Sequence, residues 1–505
     1  MTFALTIVAG IVGYEVLRAF LVGAARRSMR AGASRFVRQN RVQLELARFV
    51  DRIWMRERIA SDKIVELELL ATARRTGRPV HELRDRVDRY VEEIAPDFSM
   101  ASYYQFGAGI SRRFVEFCFE MVVDQQAFDA QMAKLPANAV RVYVFNHRSN
   151  FDPVVIAFGL VQKVAVSYAV GEWALVWPLS SLFRSFGGYF VRRGEKDPLY
   201  HIVLERFIQL LAGQGAVTGF FPEGGLTRDG ALRRPRSGLL EYIVKLRIEH
   251  PEKDIVFVPV GLNYDRVLED RWLVADAAGH APKRLIVRLL NLIALIAWLP
   301  VLISANLARY FTWAPPKFGY AALAFGEPLT LSSWPGGSDI HELPDDQRKE
   351  AVRLLARELL YKRVGHAIPV VPVAITCTAL LEPGGGGFSD VVKRIKVVTE
   401  RFRAASAPLA FGPQFAGIEE RRKQKQQSQI PELDENIDDA DEAELILMLS
   451  LAQLQRRRVV RWHPKDRRIT VIETAVAQYY ANSARHHLDP TWFDARDATS
   501  EEPKG

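Results

Sequence analysis

The stretch from Val140 to Pro153 reads Val-Arg-Val-Tyr-Val-Phe-Asn-His-Arg-Ser-Asn-Phe-Asp-Pro. Its first six residues are mostly β-branched or aromatic, a composition that is typical of a strand. Pro153 suits the first turn of a helix, because the first N–H groups of a helix have no partner within it and proline has no N–H. The sequence therefore predicts a strand, a short polar turn and a helix, in that order.

Three further runs of similar composition follow along the chain. They are Val164-Ala-Val-Ser-Tyr, Gly215-Ala-Val-Thr-Gly-Phe-Phe and Ile255-Val-Phe-Val-Pro-Val, and the segments between them are long enough for helices. Parallel strands need such long connections, which are usually helical. We therefore expect an α/β fold, in which a mostly parallel sheet is flanked by helices.

The regions on either side of these runs have different patterns. Residues 26–114 carry apolar residues three and four positions apart among many arginines, which predicts a helical N-terminal region. The central α/β domain is expected over residues 115–330. Residues 331–505 form a mixed C-terminal region, and the scarcity of apolar residues over 419–442 predicts an exposed flexible loop there.

The overall composition limits the classes of protein to consider. The chain has 505 residues, of which 49% are hydrophobic and 25% are charged. This is a globular composition with enough apolar residues for more than one core, and it excludes a wholly disordered chain. Charges recur along nearly the whole length, which excludes a many-span transporter. The net charge of +9 favours an anionic partner: nucleic acid, an anionic membrane surface or a phosphorylated substrate.

Two segments have an apolar character that could bring the chain to a membrane. Residues 1–25 begin with about a dozen apolar residues and fit a membrane anchor, an interfacial helix or a buried helix. The arginines that follow would keep this side in the cytoplasm if the segment inserts. Residues 289–307 contain 19 residues without a charge, enough to span a bilayer, and they also fit a re-entrant element or a buried core helix.

A histidine and an aspartate flank the polar turn that follows the first predicted strand. His147 and Asp152 are five residues apart and do not share one face of a continuous helix, but they can meet if the chain turns between them. A carboxylate bonded to one imidazole nitrogen raises the basicity of the other, which gives a general base for a hydroxyl proton. The same spacing also fits a purely structural hydrogen-bonded pair.

Candidate binding residues follow the later strands. Ligands of open α/β sheets bind at the carboxyl ends of the strands, and arginine forks bind phosphate there. Taken singly, the arginines also fit surface charges, and the glutamate also fits a helix cap or an ion-pair partner. Four polar blocks in order at strand ends, within about 120 residues, favour a ligand site. The candidates are Arg192, Arg193, Glu223, Gly224, Arg228 and Arg236.

The four blocks resemble those of the glycerolipid acyltransferase family, which read His-x4-Asp, Gly-x-Phe-x-Arg-Arg, Phe-Pro-Glu-Gly and Val-Pro-Val/Ile. The match is closest to the glycerol-3-phosphate and dihydroxyacetone-phosphate acyltransferase branch, because Glu223 begins Glu-Gly-Gly-Leu-Thr-Arg-Asp-Gly, Pro235 begins Pro-Arg-Ser-Gly and Tyr264 begins Tyr-Asp-Arg. The resemblance covers roughly residues 114–487. Leu226 departs from it, since the branch usually has an arginine there, and Arg236 replaces a lysine.

The resemblance implies that residues 115–330 are the catalytic domain, and it also implies a mechanism. His147 would deprotonate glycerol 3-phosphate, which attacks the thioester of acyl-CoA or acyl carrier protein to give lysophosphatidate, and Asp152 would orient His147. Arg192, Arg193 and Arg228 would bind the acceptor phosphate, with Glu223 and Gly224 shaping that site. Arg236 is a further substrate-binding candidate. Neither a metal nor a cofactor is implied.

The resemblance also implies a membrane lipid surface as a partner and an active site that faces the cytoplasm. Three alternatives stay open. The same fold could acylate dihydroxyacetone phosphate or a lysophospholipid, and a non-enzymatic lipid-binding membrane protein could keep the fold. A nucleic-acid-binding protein is suggested by charge alone, and no recognised nucleic-acid-binding module is found in the sequence. The sequence gives no indication of oligomeric state.

Overall fold

A computed structural model describes residues 52–95, 112–133, 135–136, 138–160, 164, 166–171, 183, 188–192, 194–279, 318–417, 435–489 and 491–494. The strands are β1 (Glu120–Val123), β2 (Val140–Phe145), β3 (Val166–Gly171), β4 (Gly188–Val191), β5 (Val217–Phe220), β6 (Ile255–Tyr264), β7 (Tyr320–Phe325), β8 (Leu329–Thr330), β9 (Val460–His463) and β10 (Arg468–Val471).

The helices of this part of the chain are α1 (Arg52–Ala60), α2 (Lys63–Thr76), α3 (Val80–Ile94), α4 (Arg112–Cys118), α5 (Gln125–Met132), α6 (Asp152–Leu160), α7 (Pro198–Gly213), α8 (Gly238–Val244), α9 (Leu246–Glu249), α10 (Asp270–Ala277), α11 (Asp345–Arg357), α12 (Gly365–Ala367), α13 (Pro372–Leu381), α14 (Phe388–Ala404), α15 (Glu435–Arg456) and α16 (Thr474–Arg485). A π-helical segment, Glu358–Val364, joins α11 to α12.

The chain divides into two units, each made of separate stretches. The first comprises the described residues within 1–113 and 160–216, and the second those within 114–159 and 217–505. The sequence-based domain boundaries at residues 25, 114 and 330 stay predictions.

The first unit packs helices against a pair of strands. Strands β3 and β4 pair in parallel, and α7 packs against α2 and α3. Asp62 caps α2 by accepting the N–H groups of Ile64 and Val65, and it also pairs with Arg206 of α7 at 2.8 Å. Asp197 caps α7 by accepting the Leu199 N–H. Helices α1 to α3 confirm the helical pattern predicted for this part of the chain.

The second unit contains a sheet with the strand order β1-β7-β6-β2-β5, and β8 pairs with β6. Strand β2 is parallel to β5 and β6, and β1 is parallel to β7, whereas β6 pairs antiparallel with β7 and β8. All ten residues of β6 are buried. The alternation of strands and helices around a mostly parallel sheet confirms the predicted α/β fold class.

The C-terminal region mixes helices with a two-stranded hairpin, as predicted. Helix α13 packs against α14, α15 and α16, and β9 pairs antiparallel with β10. The predicted flexible loop does not reach residue 442, because α15 begins at Glu435. Glu442 is buried and pairs with Arg403, and Ile446 and Leu447 are fully buried one turn further on. Residues 418–434 lie outside the described residues.

The two apolar segments of the sequence, residues 1–25 and 289–307, also lie outside the described residues. Among the helices that are described, none combines the length and the apolar character that crossing a membrane requires.

Candidate active site

The site begins where β2 ends, at a turn fixed by the buried Asn146. The Asn146 side chain donates to the backbone oxygen of Leu262 at 2.9 Å and accepts the Leu262 N–H at 2.7 Å. Through these two bonds the Asn146 side chain takes the place of a backbone partner for Leu262, one residue beyond the end of the β2–β6 pairing. The polar turn therefore starts at a fixed point beside β6.

His147 and Asp152 meet across this turn, as the sequence predicts. The distance from His147 Nδ1 to Asp152 Oδ2 is 2.9 Å. The same carboxylate oxygen accepts the N–H groups of Arg148 at 2.7 Å and Ser149 at 3.0 Å. Asp152 is also the first residue of α6, where the helix dipole favours a negative charge. The carboxylate is fully buried, so its charge acts on His147 with little screening by water.

The imidazole of His147 is held in one orientation. Its ring stacks on Phe221 with the ring centroids 4.3 Å apart, and its side chain is 11% exposed. With Nδ1 donating to the carboxylate, the lone pair of the neutral ring lies on Nε2. The arrangement can therefore accept a proton at Nε2 and stabilise the imidazolium that results. A catalytic role for the pair stays a prediction from sequence and geometry.

Tyr264, at the end of β6, is a member of the site to which the sequence analysis gave no role. Its hydroxyl donates to Asp152 Oδ1 at 2.7 Å, on the oxygen that His147 does not use. Burial and then the charge of Asp152 raise the pKa of Tyr264 well above its ordinary value. The hydroxyl therefore stays a donor, and it orients the carboxylate.

Glu223 fastens a second loop to the backbone of His147. Its Oε1 accepts the His147 N–H at 2.7 Å, and its Oε2 accepts the Arg233 N–H at 2.8 Å. The Thr227 N–H in turn donates to the His147 carbonyl oxygen at 3.2 Å. Burial raises the pKa of Glu223 to about 6, against the opposing pull of these two backbone donors. Glu223 is thus a bridge between two segments of backbone.

Gly224 and Arg236 lie on the same loop. Gly224 has a φ of +62°, and a Cβ there would come within 2.7 Å of Arg236 Cδ. The Arg236 N–H donates to the Pro222 carbonyl oxygen at 2.7 Å. The structure therefore brings three of the predicted residues, Glu223, Gly224 and Arg236, onto one loop that is fastened to His147.

Arg228 is an exposed member of this loop. Its Nε pairs with Asp276 of α10 at 2.8 Å, and its side chain is 58% exposed. The Asp276 side chain is only 17% exposed, so a phosphate at Arg228 would have to compete with a largely buried carboxylate.

Arg192 belongs to the first unit, where carboxylates already occupy its guanidinium. Its Nε and Nη2 donate to the two oxygens of Glu93 at 2.7 and 2.6 Å, and Nη1 donates to Glu195 at 3.0 Å. The Glu93 carboxylate raises the pKa of Arg192, and the guanidinium also lies over the Tyr90 ring. Arg192 is therefore already engaged by two carboxylates, and phosphate binding by Arg192 stays a prediction. Arg193 lies outside the described residues.

A buried arginine, for which the sequence gives no local indication, holds the turn in place. Arg148 is 2% exposed and donates to the carbonyl oxygens of Gly230 and of Ser483, the latter at 2.8 Å. Ser483 lies on α16, and its neighbour Asn482 donates to the Asp229 carbonyl oxygen at 2.9 Å. The C-terminal helix therefore supports both loops of the site. Local sequence carries no signal for these contacts.

Glu269 completes the surroundings of the turn. It accepts the Ser149 hydroxyl at 2.9 Å and the Asn150 N–H at 2.6 Å, and burial raises its pKa. Every residue from Asn146 to Asn150 thus has a fixed partner. The fold and the site together define a mostly parallel α/β domain with a buried His–Asp pair at a strand end, the geometry of a general base for a hydroxyl.

Comparison with known proteins finds a family model that matches part of this domain. Residues 129–263 match the family model described as Acyltransferase, a segment that includes His147, Asp152 and the Glu223 loop. Over these residues the chain is therefore similar to acyltransferase domains.

Several curated proteins are similar to a larger part of the chain. The glycerol-3-phosphate acyltransferase of Xylella fastidiosa (strain M12) is 24% identical over 348 residues, which cover 64% of this chain and 37% of that protein. The protein of the same name from Aeromonas hydrophila is 26% identical over 337 residues, covering 64% and 39%. The putative acyltransferase plsB1 of Mycobacterium bovis is 26% identical over 343 residues, covering 67% and 49%. The matches span about two fifths to half of the length of these relatives.

Among solved structures, the 1-acyl-sn-glycerophosphate (LPA) acyltransferase PlsC of Thermotoga maritima is similar to this chain. It has 16% sequence identity and a TM-score of 0.28, and the match covers 59% of this chain and 95% of that one.

Proposed function

We propose that this chain is a glycerol-3-phosphate 1-O-acyltransferase, which transfers a fatty acyl group from acyl-CoA or acyl carrier protein to glycerol 3-phosphate and forms lysophosphatidate. The observation that carries the proposal is the buried pair of His147 and Asp152 at the end of β2, 2.9 Å apart, within the residues that match the Acyltransferase family model. The curated relatives that are named glycerol-3-phosphate acyltransferase support this choice of acceptor.

The chemistry needs one proton acceptor and no covalent enzyme intermediate. His147 Nε2 takes the proton of the C1 hydroxyl as its oxygen attacks the thioester carbonyl carbon. The tetrahedral intermediate then collapses, so a C–O ester bond replaces the C–S bond, and the proton passes to the departing thiolate. Asp152 stabilises the imidazolium that exists between these steps, and Tyr264 and the turn N–H groups hold Asp152 in place.

The acceptor phosphate would lie beside the Glu223 loop. Arg228 presents an exposed guanidinium there, and Arg236 follows on the same loop. Leu226 stands where the branch that the sequence resembles usually has an arginine, so Arg228 would carry more of the acceptor-phosphate binding. A membrane-associated location with the site facing the cytoplasm, and a reaction without a cofactor, are part of the proposal on sequence grounds.

An acceptor panel tests the proposal. We expect the purified chain with palmitoyl-CoA to acylate glycerol 3-phosphate with a kcat/KM at least about 10-fold above that for dihydroxyacetone phosphate, lysophosphatidate or a lysophospholipid. The products are identified by mass spectrometry. Acylation of another acceptor in preference to glycerol 3-phosphate would overturn the choice of substrate, and absence of thiol release with all four would overturn the enzymatic assignment.

We expect Tyr264→Phe to lower kcat for glycerol 3-phosphate about 10-fold while the protein stays folded. The variant loses the hydrogen bond that holds Asp152 Oδ1, and a bond to a charged group is worth about 1.5–3 kcal/mol. Three donors still hold Oδ2, so the loss is partial. Steady-state thiol release measures the effect.

The control for this variant is Tyr320→Phe, which removes a buried tyrosine hydroxyl that donates to Gln414, away from the His–Asp pair. Its kcat should stay within about twofold of the parent protein. Equal losses of kcat in the two variants would contradict a positioning role for Tyr264.

A further inference from the structure

A cleft of about 740 Å³ lies between the segment that follows the Glu223 loop and helix α11. One wall comes from residues 233–237 and the other from one face of α11, where Arg353 and Arg357 are one helical turn apart. The charged residues that line it are Arg233, Arg234, Arg236, Arg353, Arg357 and Glu350.

The cleft carries a concentrated positive charge. Among the described residues that line it, five are arginines and one is a carboxylate, which leaves four positive charges in excess. Glu350 pairs with Arg353 at 2.6 Å, and both side chains are about 60% exposed, so this pair is weak and open to exchange. Guanidinium groups gathered in one concavity repel each other and attract an anion with several charges.

The cleft is connected to the proposed base by direct backbone contacts. The Arg233 N–H donates to Glu223 Oε2, whose other oxygen accepts the His147 N–H. The Arg236 N–H donates to the Pro222 carbonyl oxygen. A ligand that is held by the side chains of Arg233 and Arg236 therefore binds the segment that fixes His147.

We propose that this cleft binds the phosphate groups of the nucleotide end of acyl-CoA, its 3′-phosphate and its diphosphate. The inference rests on the proposed function and selects CoA as the donor. The volume of the cleft lies within the range of about 300–1,000 Å³ that is typical of sites for drug-sized ligands. Glycerol 3-phosphate has only about ten non-hydrogen atoms and would fill a small part of it.

Charge and lining point to the same ligand. The nucleotide end of CoA carries about four negative charges, two of them on its phosphate monoester, against the four positive charges in excess in the cleft. Two apolar residues, Pro235 and Leu354, belong to the described lining, so the cleft does not suit an acyl chain. The planar guanidinium of arginine can donate two hydrogen bonds to one phosphate, whereas the ammonium group of lysine acts as a point charge.

A direct binding measurement tests the cleft independently of catalysis. We expect adenosine 3′,5′-bisphosphate to bind the full chain in calorimetry, and the double variant Arg353→Gln/Arg357→Gln to weaken its Kd about 10-fold or more. A variant with the same change of charge on residues that do not line the cleft, Lys393→Gln/Lys465→Gln, should keep the parent Kd within about twofold. An unchanged Kd in the arginine variant overturns the proposal.

Kinetics then separates CoA from other anionic partners. The arginine variant should raise KM for palmitoyl-CoA about 10-fold, with kcat, KM for glycerol 3-phosphate and the rate with a nucleotide-free acyl-N-acetylcysteamine thioester within about twofold of the parent. A raised KM for glycerol 3-phosphate, or for acyl carrier protein in place of palmitoyl-CoA, would overturn the proposal. So would weaker binding to anionic vesicles with an unchanged KM for palmitoyl-CoA.

Failure of the proposed function would look different from failure of this inference. If the bisphosphate binds in a way that depends on Arg353 and Arg357 but the chain acylates no acceptor, the proposed binding site stands and the proposed transferase function fails. If the chain acylates glycerol 3-phosphate but does not bind the bisphosphate, the proposed function stands and the proposed nucleotide-binding role of the cleft fails.

Discussion

His147→Ala is expected to lower kcat for acyl transfer to glycerol 3-phosphate by about 1,000-fold or more. The substitution removes the only imidazole that Asp152 holds among the described residues, and general-base catalysis contributes about 10²–10⁴-fold. Asp152 keeps two backbone donors and the Tyr264 hydroxyl, so its buried charge stays hydrogen-bonded and the fold is retained. Thiol release from palmitoyl-CoA and a thermal melt measure the two effects.

His250→Ala serves as the matched control. His250 is 41% exposed and lies 3.4 Å from Glu252, in a pair that does not involve the site. Its kcat should match that of the parent protein. A His147→Ala protein that turns over near the parent rate would refute the general-base role.

The largest expected effect on stability is that of Gly230→Ala, which we expect to lower the free energy of unfolding by about 4 kcal/mol or more. Gly230 has a φ of +85°, and a Cβ at this position would lie 1.8 Å from the Tyr479 carbonyl oxygen on α16. Backbone must therefore move, and the movement disturbs the Gly230 carbonyl to which Arg148 donates. Urea denaturation followed by circular dichroism measures the loss.

Gly279→Ala isolates the conformational part of this effect. Gly279 has a similar φ of +74°, but a Cβ there would meet no other atom within 4 Å. Its substitution should cost only the strain of a left-handed alanine, about 1–2 kcal/mol. Losses of equal size at the two positions would show that the contact with α16 has no energetic consequence.

The parts of the fold and site that sequence could predict are those specified locally. The run from Val140 to Phe145 and the turn to Pro153 predict β2, the turn and α6, because composition and proline chemistry act over a few residues. The contact of His147 with Asp152 follows from the same turn. Strand β6 extends to Tyr264, beyond the predicted end at residue 260, because β7 pairs antiparallel with its last five residues.

The remainder of the site depends on contacts between residues that are far apart in sequence. Tyr264 reaches Asp152 from 112 positions away, and Ser483 reaches Arg148 from 335. Arginine is rarely buried, so no pattern around Arg148 predicts that two carbonyl oxygens will meet it inside the protein. The partner of Arg192 is likewise 99 positions distant. Such partners follow from the packing of whole elements.

The contacts of α16 with the site also have a consequence for the order of synthesis. Arg148 and Asp229 each have one partner on α16, Ser483 and Asn482, so a ribosome that has made the whole central sheet has not yet supplied these two contacts. We expect the loops around His147 in the nascent chain to lack their contacts with α16 until translation passes Ser483. Competence for acyl transfer would then arrive late, with the last helix described.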